Sequence, residues 1–366
     1  MTNKVKKIVL VVGARPNFMK AAPLYNQLKK EPDRFEPIII HTGQHYDDNM
    51  SRFFFEDLGL PKPDLHLGAG SGSHAEQTAR IMIGLEQELL QINPDLVIVF
   101  GDINSTLATA VVTSKINLKL AHVESGLRSF DNSMPEEINR IVTDRIADLL
   151  FVTEPVGVEN LKKEGIDNAK IFLCGNIMID SLQQQIKAAR NSTILSDLEL
   201  KEKNYLALTL HRPSNVDDKD ALSKIISLLN ELAQTMPVVF PCHPRTRKNI
   251  EQFEINSFHP DLKFIEPLGY FDFLKLLENA ALVISDSGGV QADTTYFNVP
   301  CLTLRETTEQ PSTIQYGTNT LCGRDTKKIK AEFEKVIAGK YKSGRLPELW
   351  DGKTAERIVE IIKQKI

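Results

Sequence analysis

Cysteine is scarce and scattered. Cys174, Cys242, Cys301 and Cys322 form no C-x-x-C pair, which disfavours a zinc ribbon or a redox motif and suits a reducing compartment. The sequence contains no HExxH and no histidine pair on an expected helix, so no metal site is expected. It also lacks the GxSxG elbow of serine hydrolases. No stretch approaches the ~20 apolar residues of a membrane span. The N-terminal apolar run, Ile8 to Val12, stops at Gly13-Ala14-Arg15-Pro16 and reads as a strand, not a signal peptide. Basic excess is missing too: 44 Lys and Arg face 48 Asp and Glu, a net charge of −4. Nucleic acid and anionic membranes are therefore poor partners. A cytoplasmic globular protein is expected, and its 366 residues exceed one ordinary core, so two domains are the default.

What is present is a strict alternation of apolar strands and amphipathic helices. Strands are expected at Ile8–Val12, Phe35–Ile40, Leu96–Phe100, Leu118–Val123 and Leu149–Val152, with helices from about Lys20 and over 75–91 and 105–115. Continuous β-branched runs of this kind belong to buried parallel strands. The second half repeats the rhythm with strands near Tyr205–Leu210, Val238–Phe240, Leu262–Ile265, Ala281–Ile284 and Cys301–Leu304. The fold class is α/β, two Rossmann-like doubly wound domains facing a central cleft. Boundaries are placed at 1–175 and 176–350, with a last helix, 351–366, crossing back to the first domain.

Strand after strand ends in a polar cluster: Arg15, Gln44-His45, Asp102, Glu124. Carboxyl ends of parallel strands are where open α/β sheets bind ligands. The stretch from His122 to Arg145 is the densest. Glu124 precedes Ser125-Gly126, and Pro135 opens a helix with Glu136 and Glu137 in its first turn. Ile138, Ile141, Val142, Ile146 and Leu149 recur at helical spacing and are expected to face the core. Glu136 and Arg140 share a face. Glu124 is read as functional and Glu137 as a surface residue; the local pattern leaves Glu136 open.

In the second half, Ser287-Gly288-Gly289 follows a buried strand and opens a helix. Glycines permit close backbone approach, and a helix start favours phosphate. The alternative is a plain cap with Ser287 at its head. Arg15, Lys20, Arg212, Arg245 and Arg305 near strand ends favour the phosphate reading, and Asp293 is placed to meet ribose hydroxyls. The first turn, Gly13-Ala14-Arg15-Pro16, is not GxGxxG, so no dinucleotide fingerprint is expected there. His211, beside Arg212, is read as functional. His243 is read as loop structure or a secondary contact, His45 stays open, and His66, His74 and His259 are read as structural. Asp218-Lys219-Asp220 reads as a solvated loop or helix start.

GARPNFMKAAP, TGQHYDDNMS, FGDINSTLA, HVESGLRSF with MPEEINR, LHRPSN, HPRT, SDSGGVQAD and RETTEQP occur in this order. Together they resemble the non-hydrolysing UDP-N-acetylglucosamine 2-epimerases over almost the whole chain. The resemblance implies a glycosyltransferase-B-like pair of domains, a homodimer, no metal and no cofactor. It implies interconversion of UDP-GlcNAc and UDP-ManNAc for surface polysaccharide synthesis, through loss of UDP to 2-acetamidoglucal and its re-addition. By this resemblance Asp102, Glu124, Glu136 and His211 are catalytic. Arg15, Lys20, Arg212, His243, Tyr270, Phe271, Ser287, Gly288, Gly289, Asp293 and Arg305 bind the UDP-sugar. Two departures stand out. Ala292-Asp293 replaces a frequent Glu-Glu, and Gln44-His45-Tyr46-Asp47 differs from the activator-binding stretch of some bacterial members, so weak or absent dependence on UDP-GlcNAc as activator is expected. The rivals are a hydrolysing epimerase, an epimerase of a 2,3-diacetamido sugar, a glycosyltransferase of the same fold and an inactive nucleotide-sugar-binding regulator.

Overall fold

The computed structural model describes residues 4–44 and 60–366. His45, Tyr46 and Asp47, and with them the expectation about activation, lie outside the described residues. The chain divides into two compact units, Met1–Gln184 with Glu348–Ile366, and Gln185–Pro347. Each is a parallel sheet flanked by helices.

The first unit contains β1 (Lys6–Val12), β2 (Phe35–His41), β3 (Leu65–His66), β4 (Leu96–Phe100), β5 (Leu120–Ser125), β6 (Leu149–Val152) and β7 (Ile171–Leu173). They lie in the order β3-β2-β1-β4-β5-β6-β7. Every residue of β4 is buried, as a strand covered on both faces requires. Sheet order reverses between β1 and β4, so the loops after these two strands flank a switch point. Edge strand β3 was not expected; two residues are too few to carry a pattern.

The helix after β1 runs Arg15–Lys29 and begins at Arg15 rather than near Lys20. Pro16 lies in its first turn, where a missing N–H is harmless. Pro23 sits inside the same helix and removes the bond to the Met19 carbonyl. The Ser181 hydroxyl, on the helix Ile177–Arg190, donates to that carbonyl instead. The freed acceptor is thus satisfied from another element.

The helix Pro135–Ile146 corrects the sequence reading. Ile138 is 51% and Ile141 38% exposed, while Glu137, Asn139, Arg140, Thr143 and Asp144 are buried; of the expected core residues, Ile146 and Leu149 do pack inward. Its inward face serves buried backbone and charged groups, which apolar side chains cannot satisfy. Arg140 accordingly pairs with Glu137 and Asp102, not with Glu136.

The second unit holds β8 (Leu206–Thr209), β9 (Val238–Pro241), β10 (Leu262–Ile265), β11 (Leu282–Ser285), β12 (Cys301–Thr303) and β13 (Asn319–Leu321), in the order β10-β9-β8-β11-β12-β13. Alternate residues along β8 serve opposite layers. Leu206 and Leu208 pack with Leu222, Ile225 and Leu229 of the helix Lys219–Ala233, started by Asp218 as its cap. Tyr205 and Ala207 pack with Leu276 and Leu277 of the helix Tyr270–Asn279. Here the switch point lies between β8 and β11.

Candidate functional site

In the first unit the charged groups gather at the switch point. Lys20, one turn into the helix after β1, forms an ion pair with Glu124 at the end of β5. Glu124 has φ 71, in the left-handed region, and β5 shifts register between Val123 and Ser125. The bulge turns this carboxylate toward the β1 helix. Gly101, also left-handed with φ 61, stands beside both groups. A Cβ there would lie 2.8 Å from the Lys20 ammonium and 3.5 Å from a Glu124 oxygen. Asp102 follows immediately and is ion-paired with Arg140. Asn139 donates to the Asp102 carbonyl at 2.8 Å. Asn17 braces the same turn, donating to Phe100 O at 3.0 Å and accepting from Gly13 N at 3.3 Å.

A second, fully buried layer supports these loops. His122 Nδ1 is 2.6 Å from Asp144 Oδ1, and its Nε2 is 2.7 Å from Gly101 O. Asp144 Oδ2 accepts from Gly126 N at 3.0 Å and from Arg128 at 2.7 Å. Burial pushes the Asp144 carboxyl up, but His122 and Arg128 outweigh it and hold it below the usual carboxylate range. One carboxylate therefore ties the turn before Asp102 to the turn after Glu124.

Glu137 is a correction. It is 1% exposed, accepts from Ser129 N at 3.0 Å and Phe130 N at 2.8 Å, and holds Arg140. Burial works against its ionisation, yet these donors keep its carboxyl below the usual range. Glu136, its neighbour, is exposed. The structure thus pairs Lys20 with Glu124, sets Asp102 on the neighbouring turn paired with Arg140, and leaves Glu136 exposed in the first turn of the adjoining helix. For Arg15, only its place at the start of the β1 helix is described.

In the second unit the hub is Asp286, after β11 and 0% exposed. Its carboxylate accepts from His211 N at 3.1 Å, Arg212 N at 2.9 Å and Asn215 Nδ2 at 3.1 Å. Arg212 Nε donates to its carbonyl at 3.0 Å. His211 and Arg212 are thereby pinned beside Ser287, Gly288 and Gly289, which open the helix Gly288–Phe297. Gln291 Nε2 and Gln310 Nε2 donate to the Ser287 and Gly288 carbonyls, at 3.4 and 3.3 Å. The Gly288 and Gly289 N–H groups stand at the positive end of the helix. Arg305 lies near Gly288 and forms a two-pronged pair with Glu309, both bonds 2.7 Å. Asp293 is buried on the same helix; desolvation raises its carboxyl to about 7, and its Oδ1 has no hydrogen-bond partner among the described residues. His243 caps the helix Pro244–Gln252, accepting from Arg245 N at 3.2 Å, and its ring lies 5.9 Å from that of His211. Desolvation first, then His211 and Arg245, lowers its pKa. Tyr270 and Phe271 open the helix Tyr270–Asn279, the first buried and the second half-buried.

The sequence pattern assigned no role to Asn17, His122, Arg140, Asp144, Asp286 and Glu309. Asp286 sat inside a quoted motif, and its position directly after a buried strand was the available signal. Among the described residues, no group of three or more His, Cys, Asp or Glu is placed to hold a metal ion. The cysteines are buried, and burial pushes their thiols up, Cys242 and Cys301 to about 11 and Cys174 and Cys322 to about 12, which leaves them inert.

The family model described as UDP-N-acetylglucosamine 2-epimerase matches residues 26–363. The UDP-N-acetylglucosamine 2-epimerase of Methanocaldococcus jannaschii is 41% identical, over 97% of this chain and 98% of its own. The crystal structure of M. jannaschii UDP-GlcNAc 2-epimerase in complex with UDP-GlcNAc and UDP superimposes with a TM-score of 0.88 at 40% identity, covering 98% of this chain and 99% of that one. The UDP-2,3-diacetamido-2,3-dideoxy-D-glucuronate 2-epimerase of Pseudomonas aeruginosa is 42% identical, over 87% of this chain and 88% of its own.

Proposed function

From the premise that this chain belongs to the UDP-N-acetylglucosamine 2-epimerase family, we propose that it interconverts UDP-GlcNAc and UDP-ManNAc as a non-hydrolysing isomerase. The observation that carries the reading is the placement of charge. Lys20, Asp102 and Glu124 meet at the switch point of one unit, and Asp286 fixes His211 and Arg212 beside a glycine-rich helix start at the switch point of the other.

The C2 hydrogen of the sugar is not acidic, so direct abstraction is a poor route. Elimination comes first: a carboxylate takes the C2 proton while the C1–O bond breaks, and its electron pair leaves on UDP. The intermediate is 2-acetamidoglucal. Re-addition returns UDP to C1 and a proton to the opposite face of C2. Asp102 and Glu136 handle the two protons, and Glu124, held by Lys20, positions the ring. His211 and Arg15 stabilise charge on the leaving oxygen. Ser287, Gly288, Gly289, Arg212 and Arg305 hold the diphosphate. Asp293 meets the ribose, and His243, Tyr270 and Phe271 complete the nucleotide site.

The protein acts in the cytoplasm as a homodimer, supplies surface polysaccharide precursors, and shows little dependence on UDP-GlcNAc as activator. An outward apolar face supports the dimer: Phe130 is 77% exposed and lies in the same region as exposed Ile138 and Ile141. Sedimentation of Ile138→Asp should then show monomer. Among the described residues, no helix is long and apolar enough to cross a membrane.

The decisive experiment is incubation with UDP-GlcNAc in heavy water, followed by NMR. UDP-ManNAc carrying deuterium at C2 is expected. Free ManNAc with UDP would show hydrolysis instead, and no turnover would leave a binder. The P. aeruginosa relative's identity justifies a parallel assay with a UDP-2,3-diacetamido uronic acid; faster turnover there would move the substrate assignment to that sugar.

A further inference from the structure

Asp286 has a side-chain contact beyond its backbone bonds: its Oδ1 lies 3.2 Å from His211 Nδ1. The carboxylate is fully buried, whereas the His211 side chain is 42% exposed. A carboxylate only accepts hydrogen bonds, so an attractive contact requires the proton on Nδ1. The opposite nitrogen, Nε2, is then the one presented away from Asp286. Three hydrogen bonds converge on this carboxylate, from His211 N, Arg212 N and Asn215 Nδ2, and His211 Nδ1 stands at ion-pair distance from it. The backbone bonds fix where the turn sits, and the Nδ1 contact fixes how the ring faces.

We propose that Asp286 is a positioning residue, setting the His211 ring with Nδ1–H on its carboxylate and Nε2 turned to the departing diphosphate oxygen. This rests on the epimerase reading, in which His211 meets the leaving group. A carboxylate behind a histidine holds its tautomer and orientation without touching the reacting atoms. The ring of His243, at 5.9 Å, is the other neighbour on this side. It belongs to the helix cap and makes no such contact with Nδ1.

The first test uses the native enzyme. ¹⁵N-histidine NMR, with the His211 signal identified by its loss in His211→Gln, should show the proton of the neutral ring on Nδ1. A proton on Nε2 with Nδ1 bare overturns the proposal, whatever the activity. The second test is kinetic. Asp286→Asn should lower kcat on the order of 10²-fold while KM and the UDP Kd stay within about threefold. Asp286→Asn combined with His211→Gln should be no slower than His211→Gln alone, because both changes act on one group. Wild-type-like turnover in Asp286→Asn, or losses that multiply in the double variant, sinks the idea. Should Asp286→Asn fail to fold, the spectrum of the native enzyme decides. If the native enzyme does not epimerise, the epimerase reading fails, and the tautomer measurement still judges the placement of the ring.

Discussion

At the scale of single residues, the candidate site accepts local penalties that a purely structural chain would avoid. Glu124 occupies a left-handed conformation that costs on the order of 1–3 kcal/mol for a side chain of its kind. Asp293 is buried with an oxygen that finds no partner among the described residues. Its carboxyl stands at about 7, against roughly 3.9 for an exposed aspartate. As pH rises through this interval the unfolded chain releases the proton first, so ionisation favours unfolding. The stability associated with protonated Asp293 is fully present below about pH 4 and is lost by about pH 7. Asp293→Asn should therefore leave the melting temperature little changed at pH 4 and raise it progressively toward pH 7, as stability rises by an amount on the order of a few kcal/mol. A difference between variant and wild type that stays flat across this range, in scanning calorimetry, refutes the assignment. Lys20→Met tests the other unit. It strands the Glu124 carboxylate, and turnover should fall on the order of 10²-fold or more with the fold intact by circular dichroism.

Among the elements, the helix Pro135–Ile146 shows where periodicity misleads. Its apolar residues repeat at helical spacing, and the cap signals, proline and acidic first turn, are read correctly. The direction it faces is not legible, because the partner that decides it is Asp102, 38 positions from Arg140 in sequence. Arg140 must meet Asp102 and Glu137, so the polar side turns inward and Ile138 and Ile141 outward. The substitutions rank opposite to the pattern. Glu137→Ala should destabilise by roughly 3–5 kcal/mol, since it removes one of the two carboxylates paired with Arg140 and leaves two backbone N–H groups without their acceptor. Ile138→Ala should change the stability of the folded protomer by only about 0.5 kcal/mol. Urea denaturation of the two variants, compared at equal protomer concentration, checks the order. The helix Arg15–Lys29 teaches the same lesson in milder form. The Gly13-Ala14-Arg15-Pro16 turn moved its expected start to about Lys20, and the remote Ser181 hydroxyl explains how Pro23 is tolerated. The strands were legible because continuous apolar runs have one interpretation in a parallel sheet, and so were the polar residues that end them. The residues that hold those ends, His122, Asp144 and Asp286, look like ordinary strand, helix and loop members until the fold brings their partners close.

At the scale of the molecule, the two units share a plan: strand order reverses once in each, and each reversal carries charged turns. The first unit is built from both ends of the chain. Glu348–Ile366 returns to it, and the helix Thr354–Lys365 depends on a distant carboxylate for its start. Lys353, at the cap position, supplies no side-chain bond. Asp180 does so from the helix Ile177–Arg190, accepting from Thr354 N at 3.2 Å and Ala355 N at 2.8 Å. Capping of this kind is worth about 0.5–2 kcal/mol, and here it joins segments 174 residues apart. The only tryptophan of the chain, Trp350, lies fully buried in the returning segment. Its fluorescence is therefore a built-in report on the first unit. Asp180→Ala should shift the urea midpoint followed by Trp350 emission downward, by about 1–2 kcal/mol of stability. The second unit is expected to keep its affinity for UDP in calorimetric titration below that midpoint. A variant whose Trp350 transition is unmoved would mean that the returning helix holds its place through Ile358, Val359 and Ile362, all fully buried, without needing its cap.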